Sequence, residues 1–138
     1  MSGTRFAGYA ALFDVRDRGG DIIRRGAFTG RAKAPLPLLW QHDPARPIGT
    51  IETVEEDARG LRVTGRIDAQ GATAREVAAM LRERAVNGLS FGYRVRACAS
   101  TAPTRAGHPT RELTALDLIE VSIVTRPMQP DARIIAVS

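Results

Sequence analysis

Asn87-Gly88-Leu89-Ser90-Phe91-Gly92-Tyr93 decides the architecture through what lies on either side of it. Upstream, Thr73 is followed three residues later by Glu76, the spacing of a helix-opening capping box. Val77, Met80, Leu81 and Ala85 then recur at helical spacing on one face, with Arg75, Arg82 and Glu83 on the others. Asn87-Gly88 supplies a stop. Downstream, Leu89 to about Ala97 reads as a strand. Gly88-x-Ser90-x-Gly92 matches the nucleophile elbow of the α/β hydrolases, but that elbow needs a strand before the serine and a helix after it. Here the order is reversed, and the repeating strand–helix units of that fold are missing. The pattern match is a coincidence, and Ser90 is expected on a strand.

Working outward, most of the chain consists of short alternating segments punctuated by glycine and proline. Arg5–Phe13 reads as a first strand in which Gly8 permits a bulge or close approach. Gly20–Ile23 restarts an extended piece, and Gly26-Ala27-Phe28 turns toward a short helix or loop ending near Pro35. Leu38–His42 is a compact apolar run between Pro37 and Pro44, consistent with a buried strand carrying His42 at its end. Ile48–Val54 and Leu61–Ile67 alternate around a polar turn and predict a hairpin. Residues 98–110, rich in Ala, Thr, Pro and Gly, read as a flexible loop. Arg111–Thr125 predicts one long strand centred in the core, and Ile134–Val137 a last short one. The expectation is a single domain, 1–138, of mainly β (α+β) class. It is a closed or nearly closed barrel of six to seven strands, with one clear helix and peripheral short helices.

Composition narrows the chemistry. The chain has 138 residues, enough for one core without staples. Its one cysteine, Cys98, allows no intrachain disulfide and is read as a small apolar filler. No Cys/His cluster points to a metal, and no cofactor is expected. The net charge of +5 comes almost wholly from arginine, with Lys33 the only lysine. The arginines are scattered and no recognition helix accompanies them, so nucleic-acid binding is weakly supported. The basic surface equally suits an acidic protein partner. There is no signal-like or membrane-spanning run, and a cytoplasmic protein is expected.

Only two histidines occur, and His42 is the one in an apolar, structured setting. A serine needs a base to become a nucleophile, and histidine suits that work near neutrality. Ser90 with His42 therefore points to acyl transfer. Candidates for the group that orients the imidazole are Glu120, Asp117, Asp43 and His108. Glu120 is preferred because it lies within the most apolar strand, where a carboxylate must have a partner, and Asp117 ranks second. Strand alternation puts Leu118, Glu120 and Ser122 on one face and Ile119, Val121 and Ile123 on the other. His108 lies in the Pro/Gly-rich loop. Arg126, just past the long strand, is the candidate oxyanion donor, and Gly92 marks a bulge or a close approach of backbone. Each residue also has an ordinary reading: a hydrogen-bonded strand serine, a turn histidine, a paired strand carboxylate, a solvated arginine.

In order and spacing these segments resemble the tailed-phage prohead (capsid-maturation) serine proteases, including those of phage-derived gene transfer agents. The resemblance runs through Phe6–Phe13, Gly20–Ile23 with Gly26-Ala27-Phe28, Leu39-Trp40-Gln41-His42, Pro47-Ile48-Gly49, Gly60-Leu61, Gly88–Tyr93, and Leu118–Thr125 with Pro127. That family is similar in fold to the herpesvirus assemblins, β-barrel serine proteases acting inside an immature capsid. The resemblance implies an endopeptidase that removes capsid-protein propeptide or scaffold segments, with Ser90 as nucleophile and His42 as base. Its implied partners are the major capsid protein precursor and scaffold, and by analogy a second copy in a homodimer. The implied setting is an immature capsid in the host cytoplasm. The assemblins use a second histidine as third member; none is well placed after Ser90 here, so an acidic residue, Glu120, takes that role. The usual Ala-Asn after the proline is Met128-Gln129. The chain is also shorter than many relatives. The competing expectation is a non-catalytic assembly or scaffolding partner that has kept the fold.

Overall fold

The computed structural model describes residues 3–100 and 111–138. Eight strands and one helix follow in the order β1 (Thr4–Leu12), β2 (Asp21–Ile23), β3 (Leu36–Trp40), β4 (Asp43–Glu56), β5 (Gly60–Ile67), α1 (Ala72–Arg82), β6 (Gly88–Ser100), β7 (Arg111–Val124) and β8 (Ile134–Val137). They form one curled sheet ordered β2-β7-β3-β4-β5-β1-β8, with β6 on β7. The mainly β class with one helix is as expected. The strand count is eight, not six to seven, and the sheet is open rather than a closed barrel. Among the described residues, only an isolated bridge between Gly88 and Arg133 joins the start of β6 to the run before β8. β8 has four residues and its register on β1 already shifts between Ala7 and Gly8, so no ladder extends from that bridge.

β7 is the spine of the sheet. Its whole length pairs with β6 on one edge. The other edge is shared by β2, parallel at Arg111–Leu113, and β3, parallel at Val121–Ile123. Between them, turns carry the chain along the same edge, and the carbonyls of Ala27 and Arg31 accept the Leu116 and Leu118 N–H groups at 2.9 and 3.1 Å. These turns stand where a short peripheral helix was one of the two expectations. A central strand whose backbone is satisfied on both edges can be apolar on both faces, which suits a stretch that alternates at first and becomes almost continuously apolar toward Val124.

The core gathers Phe6, Phe28, Ile48, Ile51, Leu61, Ile67, Leu89, Phe91, Leu116, Val121 and Ile123 with Val77 and Leu81 of the helix. Phe91, next to Ser90, packs edge-on against Phe28 with ring centroids 5.4 Å apart, so the strand carrying the serine is anchored by an aromatic pair.

Helix α1 corrects two expectations. Its N-cap is Gly71, at φ 98, with no side-chain cap; Thr73 lies inside the first turn, so the capping box does not form. The helix also ends at Arg82. Arg84 takes φ 60, with Arg84 N–H donating to the Leu81 carbonyl (3.1 Å) and Ala85 N–H to that of Met80 (2.8 Å), a Schellman closure. Ala85 is therefore exposed, and Asn87-Gly88 begins the return into β6 instead of stopping the helix. At the far end β6 runs on through Cys98, Ala99 and Ser100, which were expected in the loop; Cys98 is exposed there, not a core filler. Residues 101–110 of that expected loop, with His108, lie outside the described residues. Among the described residues, no helix is long and apolar enough to cross a membrane.

Candidate active site

His42 stands in the two-residue turn between β3 and β4, where Trp40 pairs with Asp43. Gln41 and His42 have φ of 53 and 60, the positive pair that a type I′ hairpin turn requires. Neither residue prefers that region, so the surroundings must hold the turn in place. β7 does so. Gln41 N–H donates to the Ile123 carbonyl (3.0 Å), and the Gln41 amide pairs with Thr125, donating to Oγ1 (3.1 Å) and accepting from the backbone N–H (3.0 Å). His42 N–H donates to Ser122 Oγ at 3.1 Å.

Glu120 and Ser122 come from the adjoining part of β7. Glu120 pairs with Gly92 and Leu118 with Tyr93, so Ile119 is an extra residue, a β-bulge. The bulge corrects the expected alternation. Leu118 joins Val121 and Ile123 in the core, while Ile119 is 47% exposed. Glu120 and Ser122 remain together on the face opposite Val121 and Ile123. Bulges re-aim side chains in this way.

Glu120 is buried, with both carboxylate oxygens engaged: Oε1 lies 2.6 Å from His42 Nδ1, and Oε2 accepts from Ser122 Oγ at 2.7 Å. A carboxylate only accepts, so Nδ1 carries the proton and Nε2 is left as the acceptor on the exposed side of the ring. Gly92 is what admits the carboxylate. A Cβ there would sit 2.6 Å from Glu120 Oε1 and 2.9 Å from its Cγ. The close approach expected at Gly92 is thus a side chain from the neighbouring strand.

Ser90 is directly opposite Ser122 across β6 and β7, and directly opposed residues put their side chains on one face about 4.5–5.5 Å apart at Cβ. His42, Glu120, Ser122 and Ser90 therefore share one face over three adjacent strands, β3, β7 and β6. Ser90 is 6% exposed. No hydrogen bond of its hydroxyl is among the described contacts, and no described buried polar side-chain atom lacks a partner. Beside it is a small cavity of about 30 Å³ lined by Ala10, Asp17, Tyr93, Met128 and Gln129. Gln129 is buried and its amide clasps the Leu12 backbone, accepting from N–H at 2.7 Å and donating to C=O at 2.9 Å. Burial beside Asp21 and Asp17 pushes the Tyr93 hydroxyl's pKa up.

The other candidates are engaged elsewhere. Asp117 is held by Arg96 and, at 3.1 Å, by Arg31, and these guanidinium groups keep its carboxyl below the ordinary aspartate range. Asp43 accepts the Ala45 N–H (2.9 Å) inside its own turn and lies 3.6 Å from Arg46. Arg126 is exposed four residues beyond Ser122, and no described ion pair involves it. Ser122 and Gln41 carried no functional expectation from sequence. The only available signal was the position of Ser122 two residues after Glu120.

The family model described as caudovirus prohead serine protease matches residues 1–138. The prohead protease of Enterobacteria phage HK97 is 31% identical over 136 residues, covering 95% of this chain. The chain spans 59% of that relative's length. Among solved structures, the capsid assembly protease of bacteriophage T4 aligns over 88% of this chain and 81% of its own, with TM-score 0.65 and 17% identity. Kaposi's sarcoma herpesvirus protease, solved with a hexapeptide phosphonate inhibitor, aligns over 99% of this chain and 65% of its own, with TM-score 0.62 and 16% identity. At those identities the structural likeness speaks for the fold.

Proposed function

The chain belongs to the caudovirus prohead serine protease family, and from that premise we propose that it is a serine endopeptidase of capsid maturation. Its substrates are propeptide segments of the major capsid protein precursor or scaffold, met inside an immature capsid in the host cytoplasm. The observation that carries this reading is the His42 Nδ1–Glu120 Oε1 contact of 2.6 Å, on the same face as the strand-borne Ser90.

In this reading His42 Nε2 takes the proton of Ser90 Oγ as Oγ attacks the scissile carbonyl, and the collapsing tetrahedral intermediate receives that proton on its leaving amine. Glu120 holds the tautomer and stabilises the imidazolium that forms. Water, deprotonated by the same imidazole, then releases the acyl group from Ser90. Ser90 and His42 lack a direct hydrogen bond among the described contacts, and such bonds commonly tighten only with substrate bound. An oxyanion role for Arg126 rests on its place just past β7 alone.

The test is co-expression with a candidate capsid-protein precursor from the same genome. Ser90→Ala and His42→Ala should each abolish processing while the thermal transition stays in place, because members of such a unit fail together. Processing by Ser90→Ala at close to the normal rate would remove Ser90 as nucleophile and with it the reading.

A further inference from the structure

We propose that Ser122 is a positioning residue for this site, its single hydroxyl coupling the buried carboxylate to the backbone of the histidine. The inference rests on the protease reading above and adds a group that the expected triad does not contain.

The hydroxyl is fully used. Its hydrogen goes to Glu120 Oε2 (2.7 Å), and a lone pair accepts the His42 N–H (3.1 Å). Ser122 is completely buried, so no water competes for either bond. Both bonds point at parts of the site that would otherwise be loose. A glutamate has three rotatable bonds, and the bond to Nδ1 alone fixes one oxygen while leaving the carboxylate free to swing about it. The second bond, to Oε2, sets the carboxylate plane. The His42 end matters as much, because a backbone turn at positive φ on two non-glycine residues tends to relax unless its N–H groups are held. Gln41 N–H is held by the β7 backbone; for His42 N–H that partner is Ser122. The same atom therefore fixes the carboxylate and the ring's own backbone in one frame, directly opposite Ser90 on β6.

An apolar residue here would remove both bonds and leave a buried carboxylate oxygen and a backbone N–H without partners. Bonds to charged groups are the strong ones, and losing one corresponds to roughly 10- to 100-fold in rate. The effect belongs in the chemical step, since Ser122 is completely buried and both of its bonds go to Glu120 and His42.

The experiment uses the intact chain and a fluorophosphonate that phosphonylates Ser90, read as a maximal rate and a half-saturating concentration. Ser122→Ala and the nearly isosteric Ser122→Cys, whose thiol is a weak donor, should each lower the maximal rate about 10- to 100-fold. The half-saturating concentration should stay within about threefold, as expected when transition-state stabilisation is lost without uniform binding. In proton NMR the His42 Nδ1–H resonance should be visible in the parent and should broaden or vanish in both variants. A folded variant with a parent-like maximal rate and an unchanged Nδ1–H signal would overturn the proposal. Loss of the fold in both variants would overturn it as well, making Ser122 structural only. Ser90→Ala separates the two levels: if it still labels, the protease reading fails, whereas if only the Ser122 variants label normally, the coupling alone is wrong.

Discussion

Replacing Gly92 by alanine tests the site through one added methyl group. Gly92 is not among the residues with positive φ, so alanine is compatible with the backbone, and such a change at an unstrained strand position stabilises a protein by about 0.4–1 kcal/mol. At Gly92 the sign should reverse. The new Cβ would lie 2.6 Å from Glu120 Oε1, 2.9 Å from Cγ and 3.0 Å from Cδ, against the ordinary contact distance that begins at 3.4 Å. The carboxylate cannot simply rotate away, because one oxygen is tied to His42 and the other to Ser122. Glu120 has to retreat by about 0.8 Å, breaking or stretching both bonds. Overpacking of this kind costs about 1–3 kcal/mol, and at about 4 °C per kcal/mol for a domain of this size Tm should fall by roughly 4–12 °C. A displacement approaching 1 Å in an orienting group corresponds to about 10²-fold in rate. Differential scanning calorimetry gives the first quantity, and processing of the capsid-protein precursor gives the second. A variant with raised Tm and normal processing would show that a methyl group fits at position 92 without displacing Glu120, and would refute the packing argument.

Two further outcomes follow from residues outside the site. Asp117→Asn should leave processing within about twofold, because Arg96 and Arg31 engage that carboxylate away from His42. Since those arginines lower its folded-state pKa, the stability Asp117 contributes is present above the unfolded-state value of about 3.9 and is lost as pH falls through the folded value. The Tm difference between parent and variant should therefore shrink on acidification below pH ~4, as thermal melts across that range would reveal. At the C-terminus of α1, Arg84 occupies the left-handed position at φ 60 that favours glycine. Arg84→Gly should gain about 0.5–1 kcal/mol, a rise of roughly 2–4 °C in Tm. A fall would mean that the arginine side chain contributes more than the backbone strain costs.

Much of the fold was legible because strands announce themselves by local alternation and by glycine and proline at their ends. The 134–137 strand appears where the pattern put it, and β1, β3, β5 and β7 within one or two residues. The misses were those of non-local origin. The capping box at Thr73 and Glu76 is a valid local pattern, yet Gly71 opens the helix two residues earlier and Thr73 falls inside it. Barrel closure depends on whether a four-residue β8 can extend its ladder past one bridge, which no run of residue types announces. Glu120 ranked ahead of Asp117 on its apolar setting, but what occupies Asp117 could not be read locally, because the arginines that claim it come from positions 31 and 96.

By itself the sequence determined the residue types and most of their strands: a glycine-flanked serine after a helix and a glutamate in an apolar run that had to find a partner; the histidine expected at the end of a strand stands instead in the turn beyond β3, which ends at Trp40. Tertiary structure decided which of these meet. The His42–Glu120 and His42–Ser122 contacts span 78 and 80 residues, and their geometry turns on one extra residue, Ile119. Because side chains alternate with period two, that single bulge sends Leu118 to the core while Glu120 and Ser122 stay toward His42. A one-residue shift of register is invisible to composition and periodicity. It follows from how β7 fits between β6 and β3.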